Sequence, residues 1–527
     1  MLTIFVITPV IIAVILFAFS TRDIIHKVAI LFQTIFVAFA FSLFLNSRYA
    51  PITINVGDYT GLLGITLQVD NLAAIFSLLA AVIFLAVVIY ISTERVSRLF
   101  WFLLFILEST LIGLFLTRDF FNAFVLVEVG TVVVTMLLMY DREHRNMYAG
   151  IKFIMVNIVV MQFYLFGLSY LYRLTGFLNM DAVADVVATM DQNALALPYA
   201  LIMTGIASKC SLLPLLTWLP KVNSIPGSRS SIAAIVSGLH IKGGVYLFIR
   251  FQDVFGGMAS EFFLVIGVVT AFASIALALA QTDARLILAY STIAQVGLII
   301  VGLSIGGGYS YMGSVLHVVN HAIFKAALFL GVGMVSYRYN TRDVTKMRGL
   351  FAESPPIAIA ILMAVLGIIG APLLGGFVSK YFLASGAGQS LAWIINLINL
   401  GTILVFVTKF LPIFLGGGSR VKSDIKPDRY KECTVLALGA ICFGLGVFGV
   451  PAMRFMFGQD VGVDFMSYLQ KILIFAASLG LSLLARKFVA ARAQPFKALR
   501  AVDLSFSGIC VSIGVFFAAL LVFVGTV

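Results

Sequence analysis

Charge is scarce in this sequence: Asp, Glu, Lys and Arg together make up 11% of 527 residues, against about 25% in an ordinary soluble domain. So few charges cannot cover an aqueous surface, which excludes a water-soluble globular domain. Cysteine is scarcer still. Cys210, Cys433, Cys442 and Cys510 stand at no metal-ligand spacing, which argues against a disulfide scaffold or a cysteine-held cluster; beside apolar runs they read as small core residues. No phosphate loop or dinucleotide fingerprint occurs, and no histidine has a nucleophile beside it. An enzyme within the membrane is therefore disfavoured, and any cofactor or redox chemistry is expected to belong to partner proteins.

What remains is apolar: 61% of residues are hydrophobic. A helix needs about 20 such residues to cross a hydrocarbon core roughly 30 Å thick. Sixteen candidate spans run along the chain, at 1–19, 28–46, 70–91, 98–117, 120–140, 152–172, 197–219, 230–251, 261–280, 286–305, 311–336, 356–385, 391–414, 434–453, 466–489 and 505–526. The first has no basic residue before it and no small-residue cleavage site after it, so it reads as a helix and not a leader. The net charge of +12 would invite nucleic acid, but its distribution decides otherwise. Loops after odd-numbered spans hold 24 of the 35 Lys and Arg, and loops after even-numbered spans hold six: Arg48, Arg118, Arg173, Arg250, Arg454 and Lys471. That asymmetry is a positive-inside signal. It puts both termini on the outer side of a prokaryotic cell membrane and leaves no role for nucleic acid.

Seven charges are left within spans: Lys209, Lys242, Lys325, Lys380, Lys409, Glu108 and Glu128. A charge at the bilayer centre costs about 2.5–3.5 kcal/mol on insertion scales, so such residues face a bundle interior and mark ion pathways. Lys409, near a span end, can instead snorkel to the interface, and Glu108 falls in no motif. Lys209 lies beside Pro214 and Pro220, and Lys380 follows Gly367, Gly370, Pro372, Gly375 and Gly376. Proline removes a backbone donor and glycine loosens the helix, so spans seven and twelve are expected to be interrupted. Interrupted helices lie near ion sites, often in matching positions of two repeated halves.

Their spacing predicts two five-helix units, spans four to eight and nine to thirteen. An odd repeat length forces the second copy to cross in the opposite direction, giving two half-channels that open to opposite sides. An ammonium taken out of water resists its charge and a carboxylate beside it restores that charge, so moving the carboxylate loads or ejects a proton. His317, His321 and Lys325 follow one another at helical turns and share a face. The histidine pair lacks a third ligand nearby for zinc and reads as a proton relay, which His240, two residues before Lys242, extends.

Five segments then resemble one family: LTRDFFNAFVLVEVG, SKCSLLPLLTWLPKVNSIPGSRSSIAAIVSGLHIKGGVYLFIRF, DARLILAYSTIAQVGLI, LHVVNHAIFKAALFLGVG and GIIGAPLLGGFVSKYFL. In order, from about Asp70 to Tyr381, they are similar to the antiporter-like subunits shared by respiratory complex I, Mrp-type cation/proton antiporters and membrane-bound energy-converting hydrogenases. The resemblance implies an all-α polytopic membrane protein: a fourteen-helix core with two inverted five-helix repeats, here with two further C-terminal helices. It divides the chain into N-terminal helices 1–95, half-channels 96–255 and 256–415, and a C-terminal part 416–527 expected to dock a neighbouring protein of the complex.

The resemblance also implies that Glu128 pairs with Lys209, that Lys242 bridges, that His317, His321 and Lys325 form a connecting axis, and that Lys380 is terminal. The chain departs from the family pattern in WLPKVN, where Lys221 and Asn223 stand; Asn223 cannot take a proton. The expected function is proton or sodium translocation in a multi-subunit complex, coupled to a partner's redox chemistry. The alternative is a subunit of a non-redox Na+/H+ antiporter. A scaffold that has lost transport is disfavoured because the central charges are all present.

Overall fold

The computed structural model describes residues 2–19, 22–59, 64–141, 143–225, 228–416, 428–491 and 505–526. Helices α1 (Leu2–Phe19) and α2 (Arg22–Ser47) lead into an antiparallel hairpin, β1 (Ile52–Asn55) with β2 (Thr66–Val69), paired Ile52 to Val69. Next come α3 (Asn71–Ile91), α4 (Arg98–Leu116), α5 (Phe120–Leu138) and the long α6 (His144–Thr175), then short α7 (Met180–Val187). After α8 (Gln192–Lys209) the chain breaks and resumes as α9 (Trp218–Ser224). Helix α10 (Ser230–Ile235) runs through a π-helical turn, Val236–His240, into α11 (Ile241–Val254).

Helices α12 (Ser260–Ala280), α13 (Ala284–Ile305) and α14 (Gly308–Arg338) follow. A single turn, α15 (Leu350–Glu353), precedes α16 (Pro355–Ile369), which is broken from α17 (Gly375–Ser385). The remainder is α18 (Gln389–Lys409), α19 (Leu411–Phe414), α20 (Arg429–Val447), α21 (Gly449–Phe457), α22 (Phe465–Ala491) and α23 (Phe506–Thr526). Fourteen helical stretches among the described residues are long and apolar enough to cross a membrane. The two interrupted stretches, α8–α9 and α16–α17, stand where spans seven and twelve are expected from the sequence.

Both interruptions fall where the sequence withholds helix-forming groups. Pro214 follows Lys209 within the first break, and Gly370 closes α16 with φ 74° before Pro372, a conformation that glycine adopts without a Cβ penalty. The restart of α17 lies so close to α16 that a Cβ on Gly376 would stand 1.9 Å from the Gly367 carbonyl oxygen. Small residues also bring α12 and α13 together: a Cβ on Gly297 would be 2.7 Å from Gly267 O. Close backbone approach of this kind drives helix association in lipid, where apolar burial alone does not.

Two loop bridges repeat along the chain. Asp119 bridges Asn179, with Phe120 N–H donating to Leu178 O at 2.9 Å and Met180 N–H to Arg118 O at 2.8 Å. Asp283 bridges Asp343 alike, with Ala284 N–H donating to Arg342 O at 2.9 Å and Val344 N–H to Thr282 O at 3.0 Å. Each member of the second set follows its counterpart by the same step of 164 residues (119 to 283, 179 to 343), and α6 and α14 begin at 144 and 308, the same step apart.

The two C-terminal helices pack separately. Helix α22 lies on α18, whereas α23 lies on α8 and α6. Phe516 and Phe523 of α23 meet Phe262 of α12 at ring distances of 5.7 and 5.6 Å.

Candidate functional site

Lys209 ends α8 at the first break. Its ammonium is buried and donates to Thr131 Oγ1 of α5 at 2.9 Å and Asn157 Oδ1 of α6 at 2.7 Å. The Glu128 carboxylate, one turn from Thr131, is 3.9 Å away, and its side chain is 24% exposed against 6% for the lysine. Neutral acceptors thus hold the charge directly, and the carboxylate sits at the edge of ion-pair range. Trp218 pins the restarted helix by donating Nε1–H to Ser208 O at 2.8 Å. A cavity of about 10 Å³ beside Lys209 is lined by Thr110, Gly130 and His240, close to the space one water needs. His240 therefore belongs to the Lys209 end, and not to Lys242, beside which its sequence position suggests it.

Lys242 follows the π-helical turn and donates to Ser237 O, five residues back, at 2.6 Å. Single π turns recur at functional positions because they re-aim carbonyls and side chains. His317, His321 and Lys325 do share one face of α14, and the two imidazoles lie nearly parallel with centroids 6.2 Å apart. His317 is bonded at both ends, Nδ1 to Ser379 Oγ at 2.9 Å and Nε2 to Gln295 Oε1 at 3.0 Å. Gln295 in turn donates to Thr402 Oγ1 at 3.0 Å. Lys325 donates to Leu288 O at 2.8 Å and to Ser291 Oγ, both on α13.

The order differs from the one read along the sequence, which puts Lys325 next to Lys380. Helix α14 meets α17 with its His317 end, because Ser379 neighbours Lys380. The π-helical turn before Lys242 meets α14 next to His321, where a Cβ on Gly238 would stand 3.5 Å from Ala322 O. The row is therefore Lys209, Lys242, His321, His317, Lys380, with Lys325 of α14 turned aside onto acceptors of α13. Lys380 donates to Ile368 O at 2.6 Å and Asn399 Oδ1 at 2.7 Å; the first is a carbonyl near the broken end of α16, of the kind a helix terminus leaves unpaired.

Glu108 is fully buried apart from this row, and accepts from Gln33 Nε2 of α2 at 2.5 Å. Lys409 is the last residue of α18 and half-buried. Lys221 stands in the middle of α9 and lines a cavity of about 210 Å³ with Lys152 and Trp218. Trp218 lines that cavity and bonds to the Ser208 carbonyl beside Lys209. Asn223 is buried and donates to Leu219 O at 2.9 Å.

Two groups assigned to loops by sequence turn out to be buried. Arg250 pairs with Asp70 at 2.7 Å. Lys471 lies inside α22 and donates to Asn396 Oδ1 of α18; its place five residues into the span 466–489 was the available signal. It stands at a cleft of about 760 Å³ bordered by α17, α18 and α22.

Residues 117–407 match the family model described as NADH:quinone oxidoreductase/Mrp antiporter, TM. The chain is 30% identical over 371 residues to a Na(+)/H(+) antiporter protein of Alkalihalophilus pseudofirmus, covering 69% of this chain and 75% of that one. It is also 30% identical over 415 residues to an NADH-quinone oxidoreductase protein of Desulforudis audaxviator, covering 72% and 82%. A polypeptide in the structure of the Mrp complex from Dietzia sp. DQ12-45-1b superposes with a TM-score of 0.80 at 22% identity, covering 91% of this chain and 99% of that one.

Proposed function

This chain belongs to the NADH:quinone oxidoreductase/Mrp antiporter transmembrane family and is an antiporter-like membrane subunit of a multi-subunit complex; we propose that protons cross it along the buried row from Lys209 to Lys380. In the resting state Lys209 keeps its proton, held by Thr131, Asn157 and the Glu128 charge. A shift of Glu128 driven by a neighbouring protein of the complex removes the attraction, and Lys209 passes its proton towards Lys242. The proton continues through His321 and His317 to Lys380, with bridging waters across the gaps. Ser379, bonded to His317 and within 3.1 Å of Gly375 O, turns between those partners as the imidazole charges.

The observation that carries this reading is the loose Glu128–Lys209 pair: at 3.9 Å it is weak enough to be switched, while the neutral acceptors keep the ammonium in place. The two loop bridges, repeating at one step and with five expected spans between them, support inverted half-channels. The concentration of basic residues in loops after odd-numbered spans supports uptake from the cytoplasmic side and external termini. The chain holds no redox cofactor in this reading, and electron transfer belongs to partners.

Glu128→Gln and Lys209→Ala should each lower coupled pumping by about 100-fold, the scale for losing a positioned proton-transfer group, with the complex still assembled. Wild-type pumping in both variants, measured by proton uptake into vesicles holding the intact complex, would overturn the pathway. A second reading, as a subunit of a non-redox Na+/H+ exchanger, draws on the 30% identity to a Na(+)/H(+) antiporter protein, which equals that to the NADH-quinone oxidoreductase protein. Pumping that requires external sodium and no electron donor would select it.

A further inference from the structure

Lys380 and Lys471 approach α18 from two different helices and bond to carboxamides on the same face. Lys380 of α17 donates to Asn399 Oδ1 at 2.7 Å, and Lys471 of α22 donates to Asn396 Oδ1. Residues three apart on a helix are about 4.5 Å apart along its axis, so the two ammonium groups occupy successive turns of one groove. Lys380 is walled in, at 1% exposure, whereas Lys471 lines the cleft of about 760 Å³. Tyr309, Tyr381, Gln389, Asp464 and Gln470 line the same cleft, so it is polar enough to hold water. Its loops follow spans ten, twelve and fourteen, which puts its mouth on the face opposite the basic loops. A lysine buried within a helix long and apolar enough to cross a membrane needs a function to offset its cost.

We propose that Lys471 is the last protein group in the pathway, taking the proton from Lys380 and releasing it into the cleft, so that α22 is part of the ion path. The inference rests on the reading of Lys380 given above. The step is proton transfer alone. An N–H bond of the Lys380 ammonium breaks, an N–H bond forms on a neutral Lys471 amine through a bridging water, and Lys471 then gives a proton to cleft water as hydronium. Asn396 and Asn399 hold the two amines and carry no proton. Of the ionisable groups facing the cleft, Asp464 is fully exposed and held below the ordinary carboxylate range by hydrogen bonds from Ser467, so it stays anionic and draws the released proton outward.

The test uses the intact complex in vesicles, with Lys471→Cys in a chain whose four native cysteines are replaced. Pumping should fall by about 100-fold. An aminoethyl thiosulfonate reagent, which adds a titratable amine at that sulfur, should restore it from the cleft side. A trimethylammonium reagent, which restores charge but carries no transferable proton, should not. Wild-type pumping in Lys471→Cys, absence of thiol modification, or equal effects of the two reagents would each overturn the proposal.

If Lys471→Cys does not assemble, Gln470→Cys with Lys471 intact serves instead: a trimethylammonium adduct in the cleft wall should slow pumping, and an unchanged rate overturns the idea. Lys380→Ala separates the two levels. If it pumps normally the pathway itself fails; if it is inactive while Lys471→Cys pumps normally, only the role of Lys471 fails.

Discussion

At the scale of residues, the balance at Lys209 is set by neutral acceptors as much as by its counter-charge. Removing Asn157 by an Asn157→Leu change takes away the bond at 2.7 Å, and a hydrogen bond to a charged group is worth about 1.5–3 kcal/mol. The ammonium then leans on Glu128, the pair tightens, and release slows. Pumping should drop by about tenfold, since about 1.4 kcal/mol on a barrier is a factor of ten. A rate at or above wild type in reconstituted vesicles would show that Asn157 does not share the charge.

Asp70, which caps the start of α3, illustrates a structural pair by contrast. Burial pushes its carboxyl up, but the Arg250 hydrogen bond and charge pull it down further, leaving it below the ordinary value of 3.8. A depressed carboxyl contributes stability above its unfolded value, and the contribution is lost as pH falls through the folded one. Thermal stability in detergent should therefore decline below about pH 4, and Asp70→Asn should remove that part of the pH dependence at the cost of lower stability at neutral pH.

At the scale of elements, the interruptions depend on glycines that admit no side chain. A Cβ on Gly376 would collide with the Gly367 carbonyl oxygen, while one on Gly480 of α22 meets nothing within 4 Å. Gly376→Ala should cost about 1–3 kcal/mol through forced displacement and abolish pumping with Lys380 still present. Gly480→Ala should stay within about 0.5 kcal/mol of wild type. Detergent melting curves for the two variants check both statements.

These breaks were legible because proline and glycine act locally, through a missing donor and a permitted φ. The fourteen long apolar helices among the described residues were legible for a similar reason, since an apolar run long enough to span is a property of the run itself. The order of stations along α14 was not. Three residues at one-turn spacing fix a face but not which end of it meets α17, and that is decided by packing. Lys471 and Arg250 were misplaced because each stands near a span end, where a residue count cannot tell a loop from a buried turn. The hairpin of β1 and β2 gave no signal among stronger apolar patterns.

At the scale of the whole molecule, the repeated loop bridges make a demand on topology. Asp119 with Asn179 and Asp283 with Asp343 are the same kind of bridge at one step along the chain; if the five spans expected between them all cross, an odd number of crossings changes the side. The exposed Asp185 of α7 lies just beyond the first bridge and the exposed Lys346 just beyond the second. In a cysteine-free chain, Asp185→Cys should react with a membrane-impermeant maleimide added from one side only, and Lys346→Cys only from the other. Reaction of both from the same side would remove the inversion, and with it the reason for two half-channels meeting at Lys242. Opposite reactivity supports two half-channels that open to opposite sides, which a proton connects through His321 and His317 of α14.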